Sequence, residues 1–504
     1  MCRHGARVLQ GLLPIVCAMF FSSLATAQTW NLHWSDEFNG AANTFPDSSN
    51  WGFEYGNLNV NNELEFYCGP AGDANNQAPC TNNSNVFMDG NGHLVIQAIR
   101  VGSGTAPGSN SWTSTRMITS GKQSFTYGRI EASMKLPTAA GLWPAFWALG
   151  TNISSVGWPS SGEIDFMENV PSPPANLGPT KISSTLHGGA SSSNCYCAGN
   201  GLSGVFTFTN SDVTSFHTYG GIWSPYMVQF YVDDPANVFE VRTANDIPAG
   251  QDWDFNHPFY LLLNLAVGGT GSWPGPPDNN TPSPAPMLVD YVRDYQASAA
   301  APPNLGTPNT ITVKAGATTG NTTTVNLNGA ASDGRVYLNC FTDAPKASCS
   351  VATADPLSKY TVNFSASAVA TATVTLTTTA NPQNSASAFV KNKSSAGGGL
   401  VSGLASFLLI GIFWVGFPSV TRKRRAYSVI SFCVLGIILF VGCGGAGAVP
   451  SSGSGGTGGN TGGSSAGTTP GTYKITVNAF TETNTSTANP PVPDASVQIP
   501  VTVQ

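Results

Sequence analysis

Charge is scarce in this chain. Only 10% of its 504 residues are Asp, Glu, Lys or Arg, and 21 basic against 27 acidic residues leave a net charge of −6. The one dense basic run is Arg422-Lys-Arg-Arg425. With no basic stripe to neutralise a phosphate backbone, nucleic acid is excluded as a partner. A sustained apolar repeat of 3.6 residues is missing outside two long apolar stretches, which argues against a helical bundle. Cysteines at zinc-site spacing are missing too. In their place stand 56 glycines and 35 prolines, with abundant Thr, Ser and Asn. Alternating runs such as Leu94-Val-Ile-Gln-Ala-Ile99 and Met227-Val-Gln-Phe-Tyr-Val232, bounded by turn formers, read as strands of an all-β protein.

Against so little charge, Gly162-Glu-Ile-Asp-Phe-Met-Glu168 stands out: three carboxylates in six residues, separated by bulky apolar side chains. The spacers point to a buried strand, in which Glu163 and Asp165 share a face. Glu168 falls on the opposite face unless a bulge near Phe166 and Met167 absorbs one residue. With the bulge all three line one surface. Such a cluster is costly as mere structure, because like charges repel and burial disfavours ionisation. It suits cleavage of a glycosidic bond, which needs one carboxylate and one carboxylic acid.

The segment resembles the signature of glycoside hydrolase family 16, in the bulged form of laminarinase-like endo-1,3-β-glucanases. Trp34-Ser-Asp-Glu-Phe-Asn39, Asn61-Asn-Glu-Leu-Glu65, Phe125-Thr-Tyr-Gly-Arg-Ile-Glu-Ala132, Gly141-Leu-Trp-Pro-Ala-Phe-Trp147, Asn264-Leu-Ala-Val-Gly-Gly269 and Asp290-Tyr-Val-Arg293 follow in that family's order. The resemblance covers roughly residues 30–296. It implies a concanavalin-like β-jelly-roll of two antiparallel sheets, one of them lining a sugar-binding cleft.

The same resemblance assigns Glu163 as nucleophile, Glu168 as general acid/base and Asp165 as the carboxylate between them, with no cofactor for catalysis. Trp143 and Trp147 are four apart, so on a strand both face one way, and flat indoles stack on sugar rings; core packing of one of them is the alternative. Asn62 and Arg116 match positions that bind sugar hydroxyls, and His187 matches a histidine near the catalytic centre. Two departures stand out: Gly189 where His-Gly-Pro is usual, and Ser114-Thr-Arg116 where Ser-Gly-Arg is usual. Arg116 has a blander alternative, pairing with a surface acid. Trp158 and Trp273 are weaker candidates on loops. A structural calcium, as many relatives carry, would draw on Glu37, the Gly92 carbonyl and Asp290, since calcium takes oxygen ligands.

Residues 1–27 have the basic start, apolar stretch and Ala25-Thr-Ala27 site of a secretory signal peptide. Residues 28–298 form the catalytic domain, 299–308 an Ala/Pro linker, and 309–390 a small immunoglobulin-like β-domain without the aromatic cluster of a sugar-binding module. Residues 400–420 and 426–449 are apolar and long enough to cross a bilayer. The basic run between them predicts a transmembrane hairpin with a cytoplasmic turn; a sorting signal ending at 425 and lipidation at Cys443 are the alternatives. Residues 450–470 form a Gly/Ser/Thr-rich linker, and 471–504 a β-rich tail whose two strands need a partner, the 309–390 sandwich being the candidate. Of the ten cysteines, six lie outside the signal and the apolar stretches. Cys68 with Cys80 and Cys340 with Cys349 are natural local disulfides for an exported protein. Cys195 and Cys197 either bridge each other or pair with Cys68 and Cys80.

The sequence therefore leads to a retaining endo-β-glucanase acting on β-1,3 or mixed β-1,3/1,4 glucan. It is expected to be an exported monomer, tethered to the envelope membrane by the hairpin. Another family specificity, a transglycosylase, or a non-catalytic glucan-binding surface protein are the alternatives.

Overall fold

In a computed structural model, residues 30–80, 84–173, 175–197, 202–298, 301–380 and 467–504 are described. The signal peptide at 1–27 and both apolar stretches at 400–420 and 426–449 lie outside them, as does most of the 450–470 linker. Among the described residues no helix is long and apolar enough to cross a membrane.

Two β-sheets face each other across residues 30–297. The ten-stranded sheet follows the order Val238–Thr243, Met227–Val232, His217–Ser224, Gly128–Lys135, Ala285–Ala297, Leu94–Arg100, Trp112–Ser114, Glu65–Tyr67. Trp30–Asp36 joins it beside Ala285–Ala297, and Val86–Met88 beside Leu94–Arg100. The seven-stranded sheet runs Ser203–Thr207, Lys181–His187, Glu163–Glu168, Leu142–Gly150, Phe259–Val267, Arg116–Ile118, Gly52–Glu54. Nearly all pairings are antiparallel, as in a jelly-roll sandwich.

The alternation that predicts strands also builds the core. In Phe259–Val267 every residue is buried, yet the two faces differ. Phe259, Leu261, Leu263, Leu265 and Val267 enter the inter-sheet core with Phe146, Phe166, Trp223 and Phe230. Tyr260 and Leu262 point the other way and pack with Leu149, Trp147, Ile118 and Ile153 in a separate cluster. Full burial of each large apolar side chain contributes about 1.5–3 kcal/mol.

A second sandwich follows. One sheet has the order Asn304–Leu305, Thr322–Asn328, Val369–Thr378, Ala347–Ala352. The other has the order Ile311–Val313, Ala495–Val503, Gly471–Thr481, Arg335–Thr342, Thr361–Asn363. The tail therefore supplies two interior strands of a five-stranded sheet, and Ile475, Val477, Ile499 and Val501 pack against Val325, Leu327, Val374 and Leu376. Asn304–Leu305 is paired with Thr322–Asn328, so part of the expected linker at 299–308 belongs to this sandwich. Thr379 and Thr468 bond through both backbone amides: Thr468 N–H donates to Thr379 O, and Thr379 N–H to Thr468 Oγ1.

The two sandwiches pack together rather than hang on a free linker. Met227, Val241, Tyr337 and Phe480 form a shared apolar cluster, and Tyr337 donates to Asn245 Oδ1 at 3.0 Å. Beside it, buried Glu482 accepts from Gln229 Nε2 and from the Arg335 amide, both at 2.8 Å. Arg335 also donates to Gln229 and pairs with Asp355 at 3.0 Å. Burial raises the Glu482 carboxyl above its ordinary range, and the Gln229 and Arg335 contacts oppose that rise. A buried charge without these partners would cost several kcal/mol, on the order of 3–5.

Three disulfides are present among the described residues: Cys68–Cys80, Cys195–Cys197 and Cys340–Cys349. The open choice at Cys195 and Cys197 resolves to a bridge between the two. Disulfides fit an oxidising, extracytoplasmic compartment.

Candidate active site

The strand Glu163–Glu168 carries the bulge. Asp165 lies opposite Trp147 on one neighbour, but Met167 lies opposite Phe146, so register shifts between Asp165 and Met167. The other neighbour shows the same irregularity between Asp165 and Glu168. Phe166 and Met167 are both in the core, which consecutive residues of a regular strand cannot be. Phe166 stacks on Phe146 with centroids 5.0 Å apart. Core packing thus holds the bulge in place, and the bulge returns Glu168 to the face of Glu163 and Asp165.

Residues opposite one another in paired strands share a face. One row crosses five strands as Glu168, Ala145, Asn264, Arg116 and Glu54. The adjacent row holds Asp165, Trp147, Leu262 and Ile118. Trp143 Nε1 donates to Glu168 Oε1 at 2.9 Å. Trp147 Nε1 donates to Asn264 Oδ1 at 2.7 Å, and the Arg116 guanidinium lies over the Trp147 ring at 4.6 Å. Both tryptophans therefore face the site, and neither is absorbed by the core. Arg116 pairs with Glu54 at 2.6 Å, so it does pair with an acid, but one that shares the site face.

His187 sits opposite Glu163 on the next strand. Its Nε2 lies 3.0 Å from Asp165 Oδ2 and 3.8 Å from Glu163 Oε1. Trp158 Nε1 donates to Glu163 Oε2 at 3.0 Å, although the indole is 45% exposed. Trp273 packs edge-on to Trp143, with centroids 5.3 Å apart. Asn62 is exposed and donates to the Gly271 carbonyl at 3.2 Å, so it links its loop to the turn before Trp273.

Burial dominates the electrostatics. It pushes the Glu163 carboxyl up to about 8, with repulsion from Asp165 second and the His187 charge acting in opposition. Burial, then Asp165, likewise pushes Glu168 up to about 8. Asp165 is raised well above its ordinary value by burial alone. Burial therefore favours the protonated forms within the cluster, the direction that a general acid in such a site needs. The two glutamates differ in their surroundings: Glu163 has Trp158 and the nearer imidazole, while Glu168 has Trp143.

Ligand atoms of Glu163, Asp165 and His187 lie within 4.8 Å of one another, the one such group among the described residues. That closeness is what a mutually bonded carboxylate–imidazole set needs, and it carries no metal assignment. At the expected calcium position both Glu37 oxygens accept from Arg293, at 2.9 and 2.7 Å. Asp290 accepts from Ser133 Oγ at 3.3 Å. The Glu37 side chain is thus already neutralised and fits a cation poorly. His33, His93 and His217 each pair with an aspartate.

Asn264 was missed as a site residue. Its signal was present, as the lone polar side chain in an apolar run of nine, Phe-Tyr-Leu-Leu-Leu-Asn-Leu-Ala-Val. Tyr67, whose hydroxyl accepts from Asn264 Nδ2 at 3.3 Å, gave no such signal.

A β-sandwich that displays two carboxyl groups of unlike surroundings, walled by indoles, has the make-up of a glycoside hydrolase. The model of Glycosyl hydrolases family 16 matches residues 74–293. A Rhodothermus marinus beta-glucanase is 33% identical over 303 residues, covering 59% of this chain and 95% of the relative. A glucan endo-1,3-beta-glucosidase of Cryptopygus antarcticus is 34% identical over 275 residues, 53% of this chain and 92% of the relative. Other relatives are longer: the chain covers 35% of the Tachypleus tridentatus clotting factor G alpha subunit, to which it is 33% identical. Among solved structures, the endo-beta-1,3-glucanase from Pyrococcus furiosus is 38% identical, with 54% of this chain and 97% of that one covered and a TM-score of 0.45. The chain belongs to glycosyl hydrolases family 16.

Proposed function

We propose that the protein is a retaining endo-β-glucanase that hydrolyses β-1,3 or mixed β-1,3/1,4 glucan by double displacement. The observation that carries this is the bulge, which returns Glu168 to the face of Glu163 and Asp165 within a frame of Trp143, Trp147 and Trp158. Glu163, beside His187 and the Trp158 N–H, is the carboxyl better suited to ionise, and it attacks the anomeric carbon. Glu168 protonates the departing glycosidic oxygen, then takes a proton from the water that releases the sugar from Glu163. Asp165, bridging to His187, adjusts the charge between them. Trp143, Trp147 and Arg116 offer flat and cationic surface to sugar rings and hydroxyls.

The beta-1,3-glucan-binding protein of Penaeus monodon, 31% identical over 192 residues, marks the competing reading of binding without cleavage. The complete carboxylate set speaks against it, since binding has no need of so costly a cluster. Reducing-sugar release from a soluble β-1,3-glucan separates the two. The protein should release sugar, and Glu163→Gln should lose that activity by several orders of magnitude while still binding glucan. Near-parental turnover in Glu163→Gln would overturn the nucleophile, and binding without release would overturn the enzyme.

We further propose attachment to a membrane through 400–420 and 426–449. What supports this is that Thr379 and Thr468 are hydrogen-bonded, so the chain departs from and returns to the sandwich at one point, an arrangement compatible with a hairpin.

A further inference from the structure

The Cys195-Tyr-Cys197 segment plays no part in the chemistry above, yet it lies against the strand end that presents His187. Cys195 is bridged to Cys197 and sits opposite Gly189 in a short ladder. The Tyr196 side chain between them is fully buried. Its amide donates to Gly188 O at 3.0 Å. Its hydroxyl lies 2.8 Å from both Asp254 Oδ2 and the Asp252 carbonyl. Asp254 Oδ2 in turn accepts from the Gly189 amide at 2.7 Å.

Two glycines make this approach possible. A Cβ at Gly188 would fall 2.2 Å from the Tyr196 hydroxyl oxygen, and one at Gly189, where φ is +114°, would fall 2.7 Å from Cys195 Cα. The Gly189 carbonyl has a further partner, Ser160 Oγ at 2.9 Å. Ser160 is two residues from Trp158, whose indole touches Glu163. Gly189 is two residues from His187, which touches Asp165 and Glu163. One glycine peptide region thus joins the two loops that hold the Glu163 end of the site, and Tyr196 with Asp254 fixes that glycine from behind.

We infer that Tyr196 and Asp254, held by the Cys195–Cys197 bridge, are positioning residues that set His187 and Trp158 against Glu163. The inference rests on the reading of Glu163 as nucleophile. The ionisable groups facing Glu163 are Asp165 and Glu168 on its own strand, His187 on Lys181–His187 and Tyr260 on Phe259–Val267. Among them His187 is the one that favours the Glu163 anion. If the His187 loop slackens, that anion loses support. The acidic limb of the pH–rate profile then moves to higher pH, because the nucleophile must be ionised. Misplacement of this kind costs roughly ten- to a hundred-fold in kcat.

The test is Tyr196→Phe and Asp254→Asn in the full chain, with Ser160→Ala as the mildest variant. Measurements are kcat, KM and the pH dependence of kcat/KM on soluble β-1,3-glucan, with melting temperature alongside. The expected result is a fall in kcat with KM within about threefold of the parent, and an acidic limb moved upward in both Tyr196→Phe and Asp254→Asn. Cys195→Ser/Cys197→Ser should shift the same limb. An unchanged limb, with activity falling only as melting temperature falls, overturns the inference and leaves the enzyme reading standing. A parent that cleaves no glucan overturns both.

Discussion

The two indole N–H groups on the two glutamates assign the roles of those glutamates, because removing each should move a different limb of the pH–rate profile. Trp143→Phe removes the donor to Glu168 Oε1 and keeps a ring. Trp158→Phe does the same for Glu163 Oε2. A hydrogen bond to a charged group is worth about 1.5–3 kcal/mol. At about 1.4 kcal/mol per pH unit, losing the Trp143 bond to buried Glu168 should raise that carboxyl by about one to two units. Trp158 is 45% exposed and water replaces part of its bond, so a smaller rise, about half a unit to one unit, is expected at Glu163. The sign is the same for both, since each N–H favours the anion. The consequences differ. As the proposed acid, Glu168 must be protonated to donate, so Trp143→Phe moves the alkaline limb of kcat/KM upward and widens the active range. As the proposed nucleophile, Glu163 must be ionised to attack, so Trp158→Phe moves the acidic limb upward and narrows it. The assay is kcat/KM across the pH range at substrate well below KM. Exchange of the two limbs would reverse the assignment of nucleophile and acid. Stationary limbs in both variants would refute the argument that these bonds tune the pair.

Two further outcomes are expected. Removal of 467–504 takes two interior strands from the five-stranded sheet, so residues 301–380 should become sensitive to limited proteolysis while 30–297 resists; equal resistance would show that the tail is dispensable to the sandwich. Cys68→Ser/Cys80→Ser should lower stability by about 2–3 kcal/mol through the unfolded state, read by chemical denaturation, and free thiols at both positions in the parent would remove the basis for that figure.

The catalytic strand was the most legible part of the molecule. Three carboxylates among Ile164, Phe166 and Met167 converge on one face only with a bulge, and alternation names where it must fall. Trp143 and Trp147 were legible for the same reason: an even spacing on a strand keeps one face. Trp158 was only a weak candidate, because its contact with Glu163 depends on how a loop closes and no periodicity governs that. The need of the 471–504 strands for a partner followed from their number. The 309–390 sandwich is that partner, as expected, but the order of the strands between Ile311–Val313 and Arg335–Thr342 did not follow, because pairing across more than a hundred residues leaves no local trace. Gln229 and Glu482, 253 positions apart, meet for a like reason.

The meeting of Thr379 with Thr468 also sets an order of assembly. Every strand of the first sandwich lies before residue 298, so it can close as soon as that much chain has emerged. The second cannot. Until Gly471–Thr481 arrives, Arg335–Thr342 has no partner on that edge, and Val325, Leu327, Val374 and Leu376 lack Ile475, Val477, Ile499 and Val501 from the layer opposite them. Closing across the intervening segment costs about 2 kcal/mol more entropy than closing a ten-residue loop, a small penalty at equilibrium but a delay in time. During that delay an open sheet edge and half a core face the surroundings, the condition in which neighbouring chains cross-pair. A nascent molecule therefore carries a finished first sandwich beside an incomplete second one, and the strands after residue 467 are what end its exposure.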